Sequence, residues 1–125
     1  MCIYFFVVPT IEVLIVDRVT PTIGQRYNLI CSVYGVEHFL TPTITYQWTK
    51  SNGSITHWAR INTDSSILEI PFFRISDTGQ YTCQVTLKSL HVEINAADSW
   101  NVEARRELNI HTLYTITDYI NFFSF

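Results

Sequence analysis

The sequence predicts an all-β fold on three observations. Asp77-Thr78-Gly79-Gln80-Tyr81-Thr82-Cys83 reads as a turn running into a strand, with Tyr81, Cys83 and Val85 on one side and Gln80, Thr82 and Gln84 on the other, because side chains alternate along a strand. Two upstream segments alternate in the same way: Tyr27, Leu29, Cys31 and Val33 share a face, and Ile44, Tyr46 and Trp48 share another, with Thr45, Gln47 and Thr49 opposite them. Valine, isoleucine, threonine and tyrosine are abundant while glycine occurs only four times, a composition that suits pleated, half-buried surfaces. An apolar inner set and a polar outer set mean that one face of each sheet is buried.

The remaining composition bounds the class. A chain of 125 residues is one domain, long enough to bury a core. Hydrophobic residues make up 47% and charged residues 15%, too apolar for a disordered chain. The net charge is −3, with both signs scattered and no basic run, so no nucleic-acid partner is expected. Of the three cysteines, Cys2, Cys31 and Cys83, two lie far apart in the chain and one is left over, which reads as a single bridge plus a stray thiol.

Taken in order, residues 1–11 form an apolar N-terminal segment. Met1–Val8 is too short to span a bilayer and lacks the basic start and cleavage site of a complete leader; it reads as an extra strand, a gene-model artefact or the tail of a truncated leader. Glu12–Val16 is a strand at a sheet edge, and Pro21 and Gly24 punctuate the approach to the next one. Strands follow over 25–33 and 44–49, separated by a loop from Tyr34 to Pro42. Asn52-Gly53 is a strong hairpin signal, since both residues tolerate positive φ. Asn52-Gly53-Ser54 is also an N-glycosylation acceptor motif. Short strands are expected over 55–58 and 61–63, then one over 67–71 that turns Leu68 and Ile70 to the core, with Phe73 after it. Asp77 suits the turn because its carboxylate can bond nearby backbone N–H groups, with Arg60 or Arg74 as a charge partner, and Gly79 supplies backbone freedom where the chain swings into the strand. A last strand is expected over 102–112, with Arg106 interrupting its apolar face. Residues 113–125 carry Asp118 and read as a tail or stray edge strand, neither a membrane helix nor a lipid-anchor signal.

With Cys31, Trp48 and Asp77-x-Gly79-x-Tyr81-x-Cys83 in this order, the chain resembles the immunoglobulin superfamily over residues 12–112. The resemblance implies a two-sheet antiparallel β-sandwich with Greek-key connections, a Cys31–Cys83 bridge across the sheets, and Trp48 packed on it as the core pin. It implies a tyrosine corner at Tyr81, two residues before Cys83, whose hydroxyl reaches back to the backbone near Asp77. The stretch from Trp48 to Cys83 is too short for the extra strand pair of an antibody variable domain, and the Gly-x-Gly bulge of rearranged receptors is absent. A constant-length or intermediate-set module is therefore expected, one domain of a larger cell-surface or secreted protein.

No constellation in the sequence points to catalysis. His38, His57, His91 and His111 have no metal-ligand spacing among themselves or to the cysteines. No nucleophile elbow, phosphate-binding glycine loop or zinc-protease motif occurs, and Asp64, Asp77 and Asp98 are too scattered for a calcium loop. The expectation is a non-enzymatic protein without cofactor or metal. Its partner would be a protein, a second copy of the chain included, and any membrane contact would come from segments outside this chain. Three roles fit: an extracellular recognition or adhesion module in the secretory pathway, a structural spacer in a tandem array, and a secreted decoy or defence protein.

The expected binding surface follows from the resemblance, because such domains often bind through loops at one end or through the sheet bearing the strands at 44–49 and 80–85. That sheet would expose Thr45, Gln47, Thr82 and Gln84. The stretch Lys88–Asn101 has Val92 and Ile94 before Asn95-Ala96-Ala97-Asp98, and Trp100 and Val102 after it. It reads as a hairpin extending past the sandwich with 95–98 at its tip. Trp100 is the leading binding candidate, since tryptophan is enriched among residues that dominate interface energy; the alternative is that Trp100, and Trp58 likewise, folds back over the core edge.

Overall fold

A computed structural model describes residues 9–104. Cys2, the rest of the apolar N-terminal segment, and residues 105–125 lie outside them, and with them the strand expected beyond Val102 and the 113–125 tail.

Seven strands make up the described residues: β1 (Glu12–Val16), β2 (Tyr27–Tyr34), β3 (Thr43–Lys50), β4 (Arg60–Ile61), β5 (Ile67–Ile70), β6 (Gly79–Ser89) and β7 (Val92–Val102). They form two antiparallel sheets, one in the order β1-β2-β5-β4 and one in the order β3-β6-β7. Among the described residues no additional strand lies beside β3, and the four-plus-three division is that of constant-type sandwiches. Glu12 pairs with Tyr34 and Thr43 with Lys88, so the start of β1, the loop 35–42 and the β6–β7 turn share one end of the molecule, called the upper end below. Tyr27 pairs with Ile70 and Gly79 with Val102, which places Tyr27, Ile70, Gly79 and Val102 at the other, lower end.

The core lies between the sheets. The four-stranded sheet contributes Val13, Ile15, Leu29, Cys31, Leu68 and Ile70, and the three-stranded sheet Trp48, Tyr81, Cys83, Val85, Leu87 and Val102. Burying each large side chain is worth about 1.5–3 kcal/mol, which fixes the register, since a slip by one residue would turn these side chains to water. The Cys31–Cys83 disulfide crosses the core with Cα atoms 6.4 Å apart. Phe73 is fully buried below the strands, held by backbone bonds from its N–H to Gln25 O and from Gly24 N–H to its carbonyl, and meets the Tyr27 ring edge to face at 5.4 Å, the geometry favoured by the ring quadrupoles.

Five sequence expectations are corrected. The β6–β7 hairpin turns at Leu90-His91, and Asn95–Asp98 lie inside β7, paired with Thr86 to Cys83. Residues 95–98 are poor strand formers, but eleven register pairs with β6 hold them extended, so tertiary pairing overrides a weak local preference. The last described strand therefore covers 92–102, and what read as a connection is the strand itself. Asn52 and Gly53 do adopt positive φ (63° and 118°), yet they leave β3 for the other sheet and join no hairpin. Residues 55–58 form no strand, and the short strand expected over 61–63 is Arg60–Ile61 on the edge beside β5. Finally, Asp77 is buried and accepts the Arg74 backbone N–H at 2.8 Å; the Arg74 guanidinium lies instead over the Trp58 ring, 5.3 Å from its centroid.

Candidate functional site

Each outward residue of β3, β6 and β7 falls into a row across the three-stranded sheet. Thr45, Thr86 and Asn95 form one row, Gln47, Gln84 and Ala97 the next, and Thr49, Thr82 and Ser99 the third. Above them lies the row Thr43, Lys88 and Glu93, which carries the outer surface's only opposed charges within these four rows. Thr82 Oγ1 and Ser99 Oγ share a hydrogen bond of 2.7 Å, Thr86 Oγ1 donates to Asn95 Oδ1 at 2.7 Å, and Thr45 Oγ1 reaches the Thr86 carbonyl at 3.5 Å. Gln47 and Gln84, opposite each other and exposed, make no side-chain hydrogen bond among the described residues. The result is three adjacent uncharged rows dense in donors and acceptors.

Trp100 is not on that surface. It lies opposite Tyr81, half-buried against the core, and its Nε1 donates to Tyr27 Oη at 3.2 Å. The Arg18 guanidinium covers its ring at 5.0 Å from the centroid. Trp58, by contrast, is 53% exposed and stacks on His57. The two tryptophans thus take opposite roles: Trp100 closes the core edge, and Trp58 lies over the outside. Ile94 packs on the core while Val92 is exposed beside the turn.

The corner around Trp100 contains a connection that no sequence periodicity announces. Asp98 Oδ2 accepts the Ile15 backbone N–H at 2.8 Å and an Arg18 N–H at 2.6 Å, and Asp98 Oδ1 accepts its neighbour Ser99 N–H at 3.0 Å. The side chain thereby ties β1 of one sheet to β7 of the other. Burial pushes this carboxyl up, but the bonds from Ile15, Arg18 and Ser99 and the Arg18 charge outweigh it, and its pKa lies below the usual carboxylate range. A depressed folded-state pKa stabilises the fold above the unfolded pKa, and this contribution is lost as pH falls through the folded one. Asp98→Asn should therefore cost about 1 kcal/mol at pH 7, the value of a charged hydrogen bond discounted for a partly exposed site. The gap between variant and wild type should close on acidification below the usual carboxylate range. Urea midpoints measured from pH 7 to pH 2 check this, and a gap independent of pH would refute it.

At the lower end Tyr81 Oη donates to the Asp77 carbonyl at 2.6 Å with both residues buried. Burial, and then the charge of Asp77 and the neighbouring Tyr27, push the Tyr81 pKa far up, so the hydroxyl stays a donor at any physiological pH. Gly79 adopts φ 150°, and a Cβ there would stand 3.0 Å from Lys50 Cε, so a larger residue would crowd the chain where β6 begins. At the upper end Pro9, Phe39, Leu40, Leu90 and Val92 line an apolar cleft of about 330 Å³, and Ser89 Oγ clamps its two walls by donating to the Leu40 carbonyl. Among the described residues no group of three or more His, Cys, Asp or Glu side chains is placed to hold a metal ion, and no helix is long and apolar enough to cross a membrane.

Residues 9–86 match the family model described as immunoglobulin domain, more than half of the chain. The chain belongs to the immunoglobulin family. Contactin-5 of Rattus norvegicus is 33% identical over 75 residues, 60% of this chain and 6% of that protein, and contactin-5 of Gallus gallus is 33% identical over 76 residues, 61% of this chain and 7% of that protein. The chain thus matches only a small part of these much longer relatives. Among solved structures, murine CRIg superposes with a TM-score of 0.61 at 12% identity, over 77% of this chain and 98% of that one. Mouse nectin-like molecule 4 gives 0.51 at 20% identity (80% and 31%), and titin M4 gives 0.51 at 18% identity (79% and 100%). At these identities the structures speak for the fold alone. In this immunoglobulin domain Trp48 pairs in register with Cys83 and is 7% exposed, beside the disulfide it was expected to cover.

Proposed function

We propose that this immunoglobulin domain is an extracellular recognition module that binds another protein through the outer surface of β3, β6 and β7. The observation that carries this reading is the uncharged array of Thr45, Gln47, Gln84, Thr86, Asn95 and Ala97. Three rows rich in donors and acceptors and without charge suit a polar, partly wet interface, and because they stand on paired strands rather than loops, little backbone order is lost on binding. The disulfide favours an oxidising compartment, the cell surface or the secretory pathway. The similarity to contactin-5 agrees with an adhesion role. Asn52 and Ser54 are exposed on the loop after β3, and we read Asn52 as an N-glycan acceptor, so the module is a glycoprotein.

A second reading, a spacer packed end to end with neighbouring domains, draws support from the exposed Leu40, Leu90 and Val92 at the upper end and Phe72 and Ile75 at the lower end. Binding of a multivalent form of the chain to a panel of cell-surface ectodomains tests both. Gln84→Arg should weaken any binding found by tenfold or more, about 1.4 kcal/mol, without moving the thermal midpoint, because Gln84 is exposed. Binding that survives Gln84→Arg but disappears with Leu90→Glu would place the contact at the upper end and overturn the sheet reading.

A further inference from the structure

The four sheet edges of this domain are unequal. β1 has five residues, begins with Glu12 and is tied to β7 through Asp98. That tie also occupies the flank of β7. β4 has two residues and starts with Arg60. Short length, charge and a covering neighbour are the usual means by which natural proteins protect an edge from pairing with another strand. β3 is neither short nor covered by a described neighbour, and its single charge, Lys50, stands at its end. It runs for eight residues, Thr-Ile-Thr-Tyr-Gln-Trp-Thr-Lys, with no charge before Lys50, no proline, no glycine and no residue at positive φ. Its composition is that of a strong strand former. Among the described residues its backbone hydrogen-bonds to β6 alone, so no described strand takes the N–H and C=O groups on its other side.

We propose that β3 pairs antiparallel with β3 of a second copy, joining two three-stranded sheets into one continuous sheet of six. The inference rests on the reading of this sheet as a protein-binding element and adds its β3 edge as the site for a second copy. A two-fold axis perpendicular to the sheet must place residues of the same face opposite each other. With the axis at Gln47, the outward pairs are Gln47 with Gln47 and Thr45 with Thr49, and the inward pair is Tyr46 with Trp48. Threonine pairs hydrogen-bond across strands, and aromatic pairs are among the favourable cross-strand contacts. Lys50 falls opposite Ile44. No charge meets its own copy, so nothing in the strand opposes the pairing.

The register makes the test sharp. A residue on the axis lies about 4.5–5.5 Å from its copy between Cα atoms, inside the range of about 4.4–6.8 Å that a disulfide spans. The full chain carrying Cys2→Ser and Gln47→Cys should form a covalent dimer under mild oxidation. Thr45→Cys in the same background should not, whereas Thr45→Cys with Thr49→Cys together should. Sedimentation velocity on the Cys2→Ser chain from about 1 to 300 μM should show a reversible dimer, and Gln47→Lys, which sets two cations face to face, should weaken it at least tenfold. Thermal midpoints should not change, because position 47 is exposed. A Gln47→Cys chain that does not cross-link while Ala97→Cys does would move the contact to the sheet surface and overturn edge pairing. So would a chain that stays monomeric throughout and cross-links at neither position. If ectodomain binding is nevertheless lost with Gln84→Arg, the recognition reading stands and only self-pairing is rejected; if both fail, both fall.

Discussion

Replacing Cys31 and Cys83 together with alanine should lower the unfolding free energy by about 2–5 kcal/mol. The residues stand 52 apart in sequence, and closing a loop of that size removes about 4 kcal/mol of chain entropy from the unfolded state in the simplest account. A compact unfolded chain makes the effect smaller, and the cavity left by two buried sulfurs makes it larger. Cys31 and Cys83 are 3% and 0% exposed and contact the hydrophobic core from opposite sheets, so the bridge also holds the sheets in register. Native domains are stable by only about 5–15 kcal/mol in total, so the loss is a large share. Urea unfolding followed by far-ultraviolet circular dichroism checks it, with mass spectrometry confirming that the wild type carries one bridge. An unchanged denaturation midpoint would mean that the bridge does not contribute to stability.

The features legible in the sequence were those repeated at short range. Alternation along 27–33, 44–48 and 81–85 marks the inward-facing residues of three strands, of which Val33, Ile44 and Tyr46 are only partly buried, and the turn at Asp77–Gly79 is legible because its residue types have narrow backbone uses. The β6–β7 turn could not be read, because Leu90-His91 contains no glycine, asparagine or proline and Leu90 nonetheless adopts φ 42°. The turn-like composition of Asn95–Asp98 therefore attracted the assignment instead. Asn52-Gly53 gave the right backbone conformation and the wrong partner strand, since positive φ specifies a bend but not which sheet the chain enters next. The corner of Arg18, Tyr27, Asp98 and Trp100 joins residues up to 82 positions apart and leaves no local pattern. One clue was present: Asp98 and Trp100 have the parity of Ile94 and Val102, which marks them as inward-facing once the strand is placed correctly. The outer surface was partly legible. Gln47 and Gln84 were named from alternation, while Asn95, Ala97 and Ser99 were hidden by the misplaced turn.

Trp48→Ala should cost about 3–5 kcal/mol, the range for removing a large buried aromatic. Trp48 is buried between the sheets at the position facing Cys83, and its Nε1 donates to the Ser65 carbonyl at 2.9 Å. That bond anchors the turn between β4 and β5, where Ser65 is held at φ 67° and Asn62 and Asp64 bond the backbone N–H groups of Ile67 and Ser66. Alanine would remove the ring, open a cavity beside the disulfide and release the turn at the same time. Trp48→Phe separates these effects: it keeps an aromatic ring in the core but cannot donate, and should cost about 1–3 kcal/mol from the lost bond together with the reduced volume. Circular dichroism is the appropriate probe, because Trp58 and Trp100 would obscure a fluorescence change. The expected order of midpoints is wild type, then phenylalanine, then alanine. A phenylalanine variant as unstable as alanine would show that the bond to Ser65, rather than the packing on Cys83, is what Trp48 contributes.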